Sequence, residues 1–289
     1  MTASRLAIGT AQFGLPYGLS HGGEPVDHDE ARSILEVASA AGVTLLDTAP
    51  AYGDIECRLS RLCVGLPFSI ISKISAFDGD PSAVSVRSWV QRSVELSSCH
   101  LERRLTGLLF HRADDLLGPF GDVAWQAATD YCPPGVRIGV SVYSPDEAIV
   151  IRQRYPVELV QVPGNAFDQR LLKVGVTDAL KGVEIHLRSA FLQGLLLGNV
   201  STQSARVPGS TAVLSRWHAW CAERHLNYVE AALSIAKGFP GVAACVIGCD
   251  SAPQAREILA AWEKSKPTVE PELSVDDSVI IDPRNWVFA

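Results

Sequence analysis

The stretch Leu105-Thr106-Gly107-Leu108-Leu109-Phe110 is a short apolar run, and a segment with helical periodicity, residues 114–131, follows it. This unit of an apolar or β-branched run and then a helical segment recurs along the chain. It predicts eight strands, at residues 6–9, 44–47, 69–73, 105–110, 137–141, 159–162, 184–188 and 243–247. Runs that are continuously apolar rather than alternating are typical of a parallel sheet covered by helices. With eight repeats and no break in composition, we expect an α/β fold closed into a (β/α)8 TIM barrel rather than an open doubly wound sheet.

Helical periodicity predicts a helical segment after nearly every strand. The segments are residues 29–41, 56–63, 81–99, 114–131, 145–154, 167–172, 214–237 and 252–262. The sixth has the weakest pattern, and the seventh is expected to break into two helices near Asn227. No Gly/Ser-rich linker divides the chain, so we expect one domain over residues 1–289. A tail from about residue 266 to 289 would pack near the barrel, where Trp286 could fold over its mouth.

Composition excludes several classes of protein. The chain has 289 residues, 47% of them hydrophobic, which is enough apolar material for a large core and excludes intrinsic disorder. A formal net charge of −7 without a Lys/Arg-rich stripe disfavours nucleic acid as a partner. No apolar run reaches the roughly 20 residues that span a membrane. Seven cysteines without a C-x-x-C, and the absence of a signal-peptide-like start, favour the cytoplasm; no Cys or His spacing indicates a metal site.

Four ionisable residues fall where the predicted barrel would carry its functional groups. Asp47, Lys73 and His111 stand at the ends of the second, third and fourth runs, and Tyr52 lies in the loop after Asp47. A tyrosine titrates near about 10, and we expect the Lys73 cation to lower the pKa of Tyr52. Asp47 would hold Lys73 charged, and His111 would hydrogen-bond a substrate carbonyl oxygen or share the proton with Tyr52. Such a set suits protonation of an oxygen that becomes an alkoxide as hydride reaches its carbon.

The chain resembles the aldo-keto reductases in motifs that run in order along nearly its whole length. They are Ile8-Gly9-Thr10, Leu46-Asp47-Thr48-Ala49-x-x-Tyr52-Gly53, Ile71-Ser72-Lys73, Leu109-Phe110-His111, Ile138-Gly139-Val140-Ser141 and Ile247-Gly248, with Ser251-x-x-Gln254 after them. The resemblance implies an oxidoreductase that reduces carbonyls or oxidises alcohols with a nicotinamide cofactor. In that pattern Tyr52 is the general acid/base, Asp47 and Lys73 tune it, and His111 positions the carbonyl. Residues 9–18 and 188–194 look like a bacterial subgroup met in sugar and surface-polysaccharide contexts, which implies a sugar-like or hydroxylated substrate.

The same resemblance assigns cofactor contacts, with two departures. The implied residues are Thr10, Asp47, Ser141, Gln161, Arg188, Ser189, Phe191, Gly248, Ser251, Gln254 and Glu257. Arg188 stands where the family usually stacks an aromatic ring on the nicotinamide, and Asp250 stands where it commonly has Ser, Lys or Arg. The family favours NADP(H). NAD(H) is the alternative, because a carboxylate repels a phosphate but can bind a free ribose diol.

Two other functions fit the residues. A regulatory barrel could bind the cofactor and turn over negligibly, although all four rim residues are in place. A lyase or isomerase could form a Schiff base on Lys73, a chemistry that barrels also host.

Overall fold

The computed structural model describes residues 5–18 and 23–286, in which eight parallel strands close into a barrel. The strands are β1 (Arg5–Gly9), β2 (Leu45–Asp47), β3 (Ser69–Ile74), β4 (Leu105–Phe110), β5 (Arg137–Ser141), β6 (Leu159–Pro163), β7 (Glu184–Arg188) and β8 (Val242–Ile247). β1 pairs with β2 on one side and with β8 on the other, which completes the ring. The predicted (β/α)8 barrel is therefore confirmed, and each predicted strand corresponds to an observed one.

Helices surround the barrel. They are α1 (Ala11–Gly14), α2 (His28–Ala40), α3 (Ile55–Leu62), α4 (Ala83–Leu101), α5 (Asp114–Leu117), α6 (Gly121–Tyr131), α7 (Pro145–Arg154), α8 (Val176–Ala179), α9 (Val200–Arg206), α10 (Thr211–Glu223), α11 (Tyr228–Gly238), α12 (Ala252–Lys264) and α13 (Ser278–Ile281). The predicted break in the seventh segment is confirmed, since Asn227 caps α11 by accepting the backbone N–H of Glu230. No helix in the described ranges is long and apolar enough to cross a membrane.

Two helix predictions were wrong. Residues 114–131 form two helices, because Gly118 ends α5 with an extended backbone and the following Pro119 has no N–H to continue the ladder. Residues 167–172 contain only a 3₁₀ turn, Arg170–Leu172. Here the side chain of Asn165 accepts the backbone N–H groups of Phe167 and Asp168, and this local turn competes with an α-helix.

Apolar side chains fill the inside of the barrel and the space between the strands and the helices. The inner layer consists of Ala7, Leu45, Ile71, Leu109, Leu159 and Ala244, all at most 1% exposed. Adjacent strands approach closely at Gly139, where a Cβ would lie 1.8 Å from the Leu159 carbonyl oxygen. The barrel is thus a packed core, so a ligand has room only at its ends.

The described part of the predicted tail, residues 266–286, packs on the barrel. Ile280, Ile281 and Trp286 are buried, and the Trp286 Nε1 donates to the Val279 carbonyl. The Arg284 guanidinium lies 3.6 Å from the centroid of the Tyr143 ring, just after the end of β5. The tail therefore reaches the carboxyl end of the barrel through Arg284; residues 287–289 of the predicted tail lie outside the described ranges.

Candidate active site

A buried ion pair joins the ends of β2 and β3. The Lys73 Nζ donates to Asp47 Oδ1 at 2.6 Å and to the Thr48 carbonyl at 2.9 Å. The Lys73 side chain is 0% exposed and that of Asp47 is 7% exposed. A pair so deeply buried is stable only while both charges are present, because either one alone is left without solvent or a partner.

Asp47 is also held from the opposite side of the barrel. The Gln161 side chain, on β6, donates through Nε2 to Asp47 Oδ1 at 2.7 Å. The Ser141 hydroxyl, on β5, donates to Gln161 Oε1 at 3.4 Å. The ends of four strands are therefore linked by one set of polar contacts, which fixes the orientation of the Asp47 carboxylate.

Tyr52 sits in the loop after β2, at the same end of the barrel. Its ring meets that of His111 edge to face, with centroids 6.1 Å apart. The loop is pressed against the turn after β1, where a Cβ on Gly14 would lie 1.7 Å from the Tyr52 carbonyl oxygen. Only glycine at position 14 permits this approach, which sets the position of Tyr52.

The pKa of Tyr52 is raised above its ordinary value, mainly by burial and next by the negative charge of Asp47. Among its main causes, the one that lowers it is the positive charge of Arg188. The sequence-based expectation that Lys73 would lower the pKa of Tyr52 was wrong, because the charge of Lys73 is matched by Asp47 at 2.6 Å. Tyr52 is therefore a protonated phenol at neutral pH, which is the form that a general acid needs.

His111 is neutral at physiological pH. Burial, and next to it the positive charge of Lys73, lower its pKa to about 4. A neutral imidazole has one nitrogen that donates and one that accepts. His111 can therefore form a hydrogen bond in this site without adding a second positive charge beside Lys73.

We expect the His111 imidazole to titrate near pH 4 in NMR, well below the usual value of about 6.5 for histidine. The signal is assigned by its loss in His111→Gln. Between about pH 6.5 and 4 the unfolded chain binds a proton at this residue that the folded protein does not, so folding stability should fall as pH falls through this window. Lys73→Met should raise the pKa of His111, because it removes the nearby positive charge. Titration near 6.5 in the wild type would show that His111 is solvated and not part of this site.

A cleft of about 930 Å³, counted with its part open to solvent, runs across this end of the barrel. Eight of the implied cofactor residues line it: Thr10, Asp47, Gln161, Arg188, Ser189, Phe191, Gly248 and Gln254. Three others do not line it: Ser141 is buried behind Gln161, Ser251 caps α12, and Glu257 is exposed on α12. Tyr52 also lines the cleft, whereas Lys73 and His111 lie outside its wall. His111 reaches the site through its contact with Tyr52.

The cleft has further wall residues that the sequence analysis did not assign to the site, although they lie in its subgroup stretches 9–18 and 188–194: Gln12, Tyr17, Gln193 and Gly194. They come from the loops after β1 and β7, so the rule that barrel sites lie at strand ends could have found them. The β7 loop also holds Ser189, Leu192 and Gln193 at positive φ, an uncommon backbone for residues with a side chain. Such strain is concentrated at functional sites, in keeping with a loop shaped around a ligand.

Arg188, the last residue of β7, is the one Lys or Arg on the described wall of the cleft. It donates through Nη2 to the Val142 carbonyl at 2.9 Å, and its guanidinium lies 4.3 Å from the Tyr143 ring centroid. Among the described residues no carboxylate forms an ion pair with Arg188. Its charge is therefore available to groups in the cleft.

Solved structures of other proteins share the barrel fold of this chain. No protein-family model matches the chain, and no curated protein matches it. The holo structure of an aldo-keto reductase from Bacillus halodurans superposes with a TM-score of 0.71 at 18% identity, covering 93% of this chain and 89% of that one. The glycerol dehydrogenase of Gluconobacter oxydans superposes with a TM-score of 0.68 at 19% identity, covering 94% and 90%. At these identities the likeness establishes a shared barrel over nearly the whole length of each chain.

Proposed function

We propose that this chain is an aldo-keto reductase, an oxidoreductase that interconverts a carbonyl and an alcohol with a nicotinamide cofactor. The observation that carries the proposal is the group at the cleft end: the Tyr52 phenol with a raised pKa, the Asp47–Lys73 pair and neutral His111. These residues lie at the carboxyl ends of neighbouring strands, where barrel enzymes hold their catalytic groups. The fold shared with aldo-keto reductases supports the same function.

The residues of the cleft fit a nicotinamide dinucleotide. Gly9, Gly194 and Gly248 line it without side chains, and Gln161 and Arg188 offer hydrogen-bond donors on the same wall. The buried Arg188 Nε has no partner in the described structure, so a polar ligand group could satisfy it. When bound, the cofactor would supply the hydride that the carbonyl carbon accepts. Gln161 and Arg188 would hold its reactive end.

The chain's own part in the reaction is proton transfer. Tyr52 would donate its phenolic proton to the carbonyl oxygen as that oxygen gains the C=O electron pair. Arg188, which lowers the pKa of Tyr52, would stabilise the phenolate left behind. His111 would support the Tyr52 ring and offer a hydrogen bond to the same oxygen. In alcohol oxidation the proton would move in the opposite direction, onto Tyr52.

The substrate we propose is a small aldehyde, ketone or sugar-like molecule. The cleft wall near Tyr52 carries the hydrogen-bonding side chains of Tyr17 and Gln193, which suit a hydroxylated substrate. One protein with the same fold is a glycerol dehydrogenase, in keeping with a polyol or its carbonyl form. All seven cysteines are free, which agrees with a reducing compartment such as the cytoplasm.

A Lys73 Schiff base is disfavoured by geometry. The Lys73 side chain is 0% exposed, lies outside the cleft wall, and has Asp47 and Thr48 as hydrogen-bond partners. A substrate carbonyl would have to displace this pair to reach Nζ. No geometric feature argues in the same way against a regulatory barrel that binds the cofactor without turnover. An assay of cofactor consumption separates that function from an enzyme.

The proposal is tested by following the loss of absorbance of the reduced nicotinamide as carbonyl compounds are added. We expect the wild-type protein to consume NADH or NADPH with at least one member of a panel of short aldehydes, ketones and aldoses. Tight binding of the reduced nucleotide without consumption over the whole panel would identify a regulatory barrel. Absence of binding as well would remove the proposed function.

A further inference from the structure

A carboxylate lies buried outside the cleft, between the strands and the helices. Glu56, in the first turn of α3, is 4% exposed and lies in the layer that apolar side chains mostly fill. Burying a charged group is costly unless hydrogen bonds or an opposite charge compensate it. The proton transfer at Tyr52 does not use Glu56, so its burial indicates another role.

Three side chains surround the Glu56 carboxylate. The Ser72 hydroxyl on β3 and the Ser97 hydroxyl on α4 both donate to Oε1, the latter at 2.9 Å. Both serines are 0% exposed. Oε2 lies 3.7 Å from the His100 Nδ1, which is buried and has no hydrogen bond in the described structure. Glu56 therefore joins α3 to both β3 and α4.

The contact with β3 lies directly behind the active site. Ser72 precedes Lys73, and successive side chains of a strand point to opposite faces of the sheet. Lys73 points into the barrel, where it meets Asp47, and Ser72 points outward, where it meets Glu56. The charge of Glu56 also acts on Lys73. Burial lowers the pKa of Lys73, and the charges of Asp47 and then Glu56 oppose that change.

Glu56 is also close to Tyr52 along the chain. Tyr52 precedes it by four residues, and the loop that carries Tyr52 enters α3 at Ile55. A shift of the start of α3 would therefore move Tyr52 relative to Lys73 on β3. Proton transfer tolerates little displacement, since a misplacement of about 1 Å can cost about 10²-fold in rate.

We propose that Glu56 is a positioning residue for the reaction: by accepting the Ser72 hydroxyl, it holds the start of α3 and the loop that carries Tyr52 against β3. This inference rests on the proposed function. The hydrogen bond from Ser97 then serves to stabilise the fold, because α4 carries no residue of the described cleft wall. The two serines should therefore differ in their effect on catalysis.

Substitution of Glu56 tests its effect on the rate. Glu56→Leu removes every polar contact of the side chain, and the apolar layer can accommodate leucine. We expect kcat for carbonyl reduction to fall about tenfold or more, with KM for the carbonyl and the affinity for reduced cofactor unchanged. Glu56→Gln keeps an oxygen that can accept both serine hydroxyls, so it should retain most of the wild-type kcat. In a Tyr52→Phe background, Glu56→Leu should cause no further loss, because the group that it positions is already absent.

The two serines provide a matched pair of substitutions. Ser72→Ala and Ser97→Ala each remove one hydroxyl that donates to the same carboxylate oxygen from a site that is 0% exposed. Both should lower the free energy of unfolding, because each removes a buried hydrogen bond. Only Ser72→Ala should lower kcat, whereas Ser97→Ala should keep the wild-type value. If Glu56→Leu does not fold, the comparison of the two serines decides alone.

Four results would overturn the inference and leave the proposed function standing. They are an unchanged kcat in Glu56→Leu, a kcat in Glu56→Gln as low as in Glu56→Leu, equal kcat values in Ser72→Ala and Ser97→Ala, and a further loss from Glu56→Leu in the Tyr52→Phe background. A wild-type protein that reduces no carbonyl would remove the proposed function and this inference together.

Discussion

Tyr52→Phe is expected to lower the rate of carbonyl reduction by about 10²- to 10⁴-fold, the usual loss when a positioned general acid is removed. The phenylalanine ring keeps the edge-to-face contact with His111, so the loop and the cleft should hold their shape. Binding of the reduced cofactor should therefore stay unchanged. Steady-state kinetics and a calorimetric titration of the same preparation separate the two effects.

The control for this substitution is Tyr131→Phe, which removes the same hydroxyl at the end of α6, away from the cleft. It should reduce substrate at the wild-type rate. The raised pKa of Tyr52 adds a second expectation: its proton is retained as pH rises, so Tyr52 should cause no loss of reduction between pH 7 and 9. A Tyr52→Phe enzyme with more than a tenth of wild-type turnover would show that another group supplies the proton.

Lys73→Met is expected to lower the free energy of unfolding by about 3–5 kcal/mol, because it leaves the Asp47 carboxylate buried without its cation. Asp47→Asn alone should also be costly, since Lys73 is 0% exposed and would lose its counter-charge. The double variant should recover much of the loss. In it, the amide oxygen introduced at position 47 can still accept the Gln161 amide, and the methionine side chain fills the space of the lysine chain. Chemical denaturation of the wild type, the two single variants and the double variant gives the coupling free energy between Asp47 and Lys73.

A solvent-exposed ion pair provides the comparison for this double-mutant cycle. Arg32 and Glu36 form an ion pair one turn apart on α2, with the Glu36 side chain 55% exposed. Glu36→Gln should cost less than about 1 kcal/mol, since solvent screens such a pair. If Lys73→Met costs no more than Glu36→Gln, or if the double variant loses the sum of its two single losses, the Asp47–Lys73 pair is not the coupled unit described here.

The strands could be predicted from the sequence because each is a continuous apolar run, and burial on both faces of a parallel sheet requires such a run. Helices were predicted less well where side chains or proline competed with the backbone. At residues 167–172 the Asn165 side chain takes N–H groups that a helix would use. Nothing in the apolar pattern of those residues indicates this.

For the candidate site, strand order alone places Asp47, Lys73, His111 and Tyr52 at one end of the barrel. The contacts that decide their chemistry join distant segments. Gln161, for example, meets Asp47 across 114 positions of sequence. The direction of the Tyr52 pKa also depends on burial and on the pairing of Lys73, so it was predicted with the wrong sign. Such properties arise only when the barrel closes.

Isotope transfer shows whether this protein moves a hydride from the reduced cofactor to a carbonyl carbon. Reduced cofactor carrying deuterium on either face of nicotinamide C4 is incubated with the wild-type protein and each carbonyl of the panel, and the alcohol is examined by mass spectrometry and NMR. We expect the wild-type protein to place deuterium on the former carbonyl carbon, from one face of the nicotinamide ring. Tyr52→Phe should give little labelled alcohol. Alcohol without deuterium, or no alcohol from any carbonyl of the panel, would contradict it.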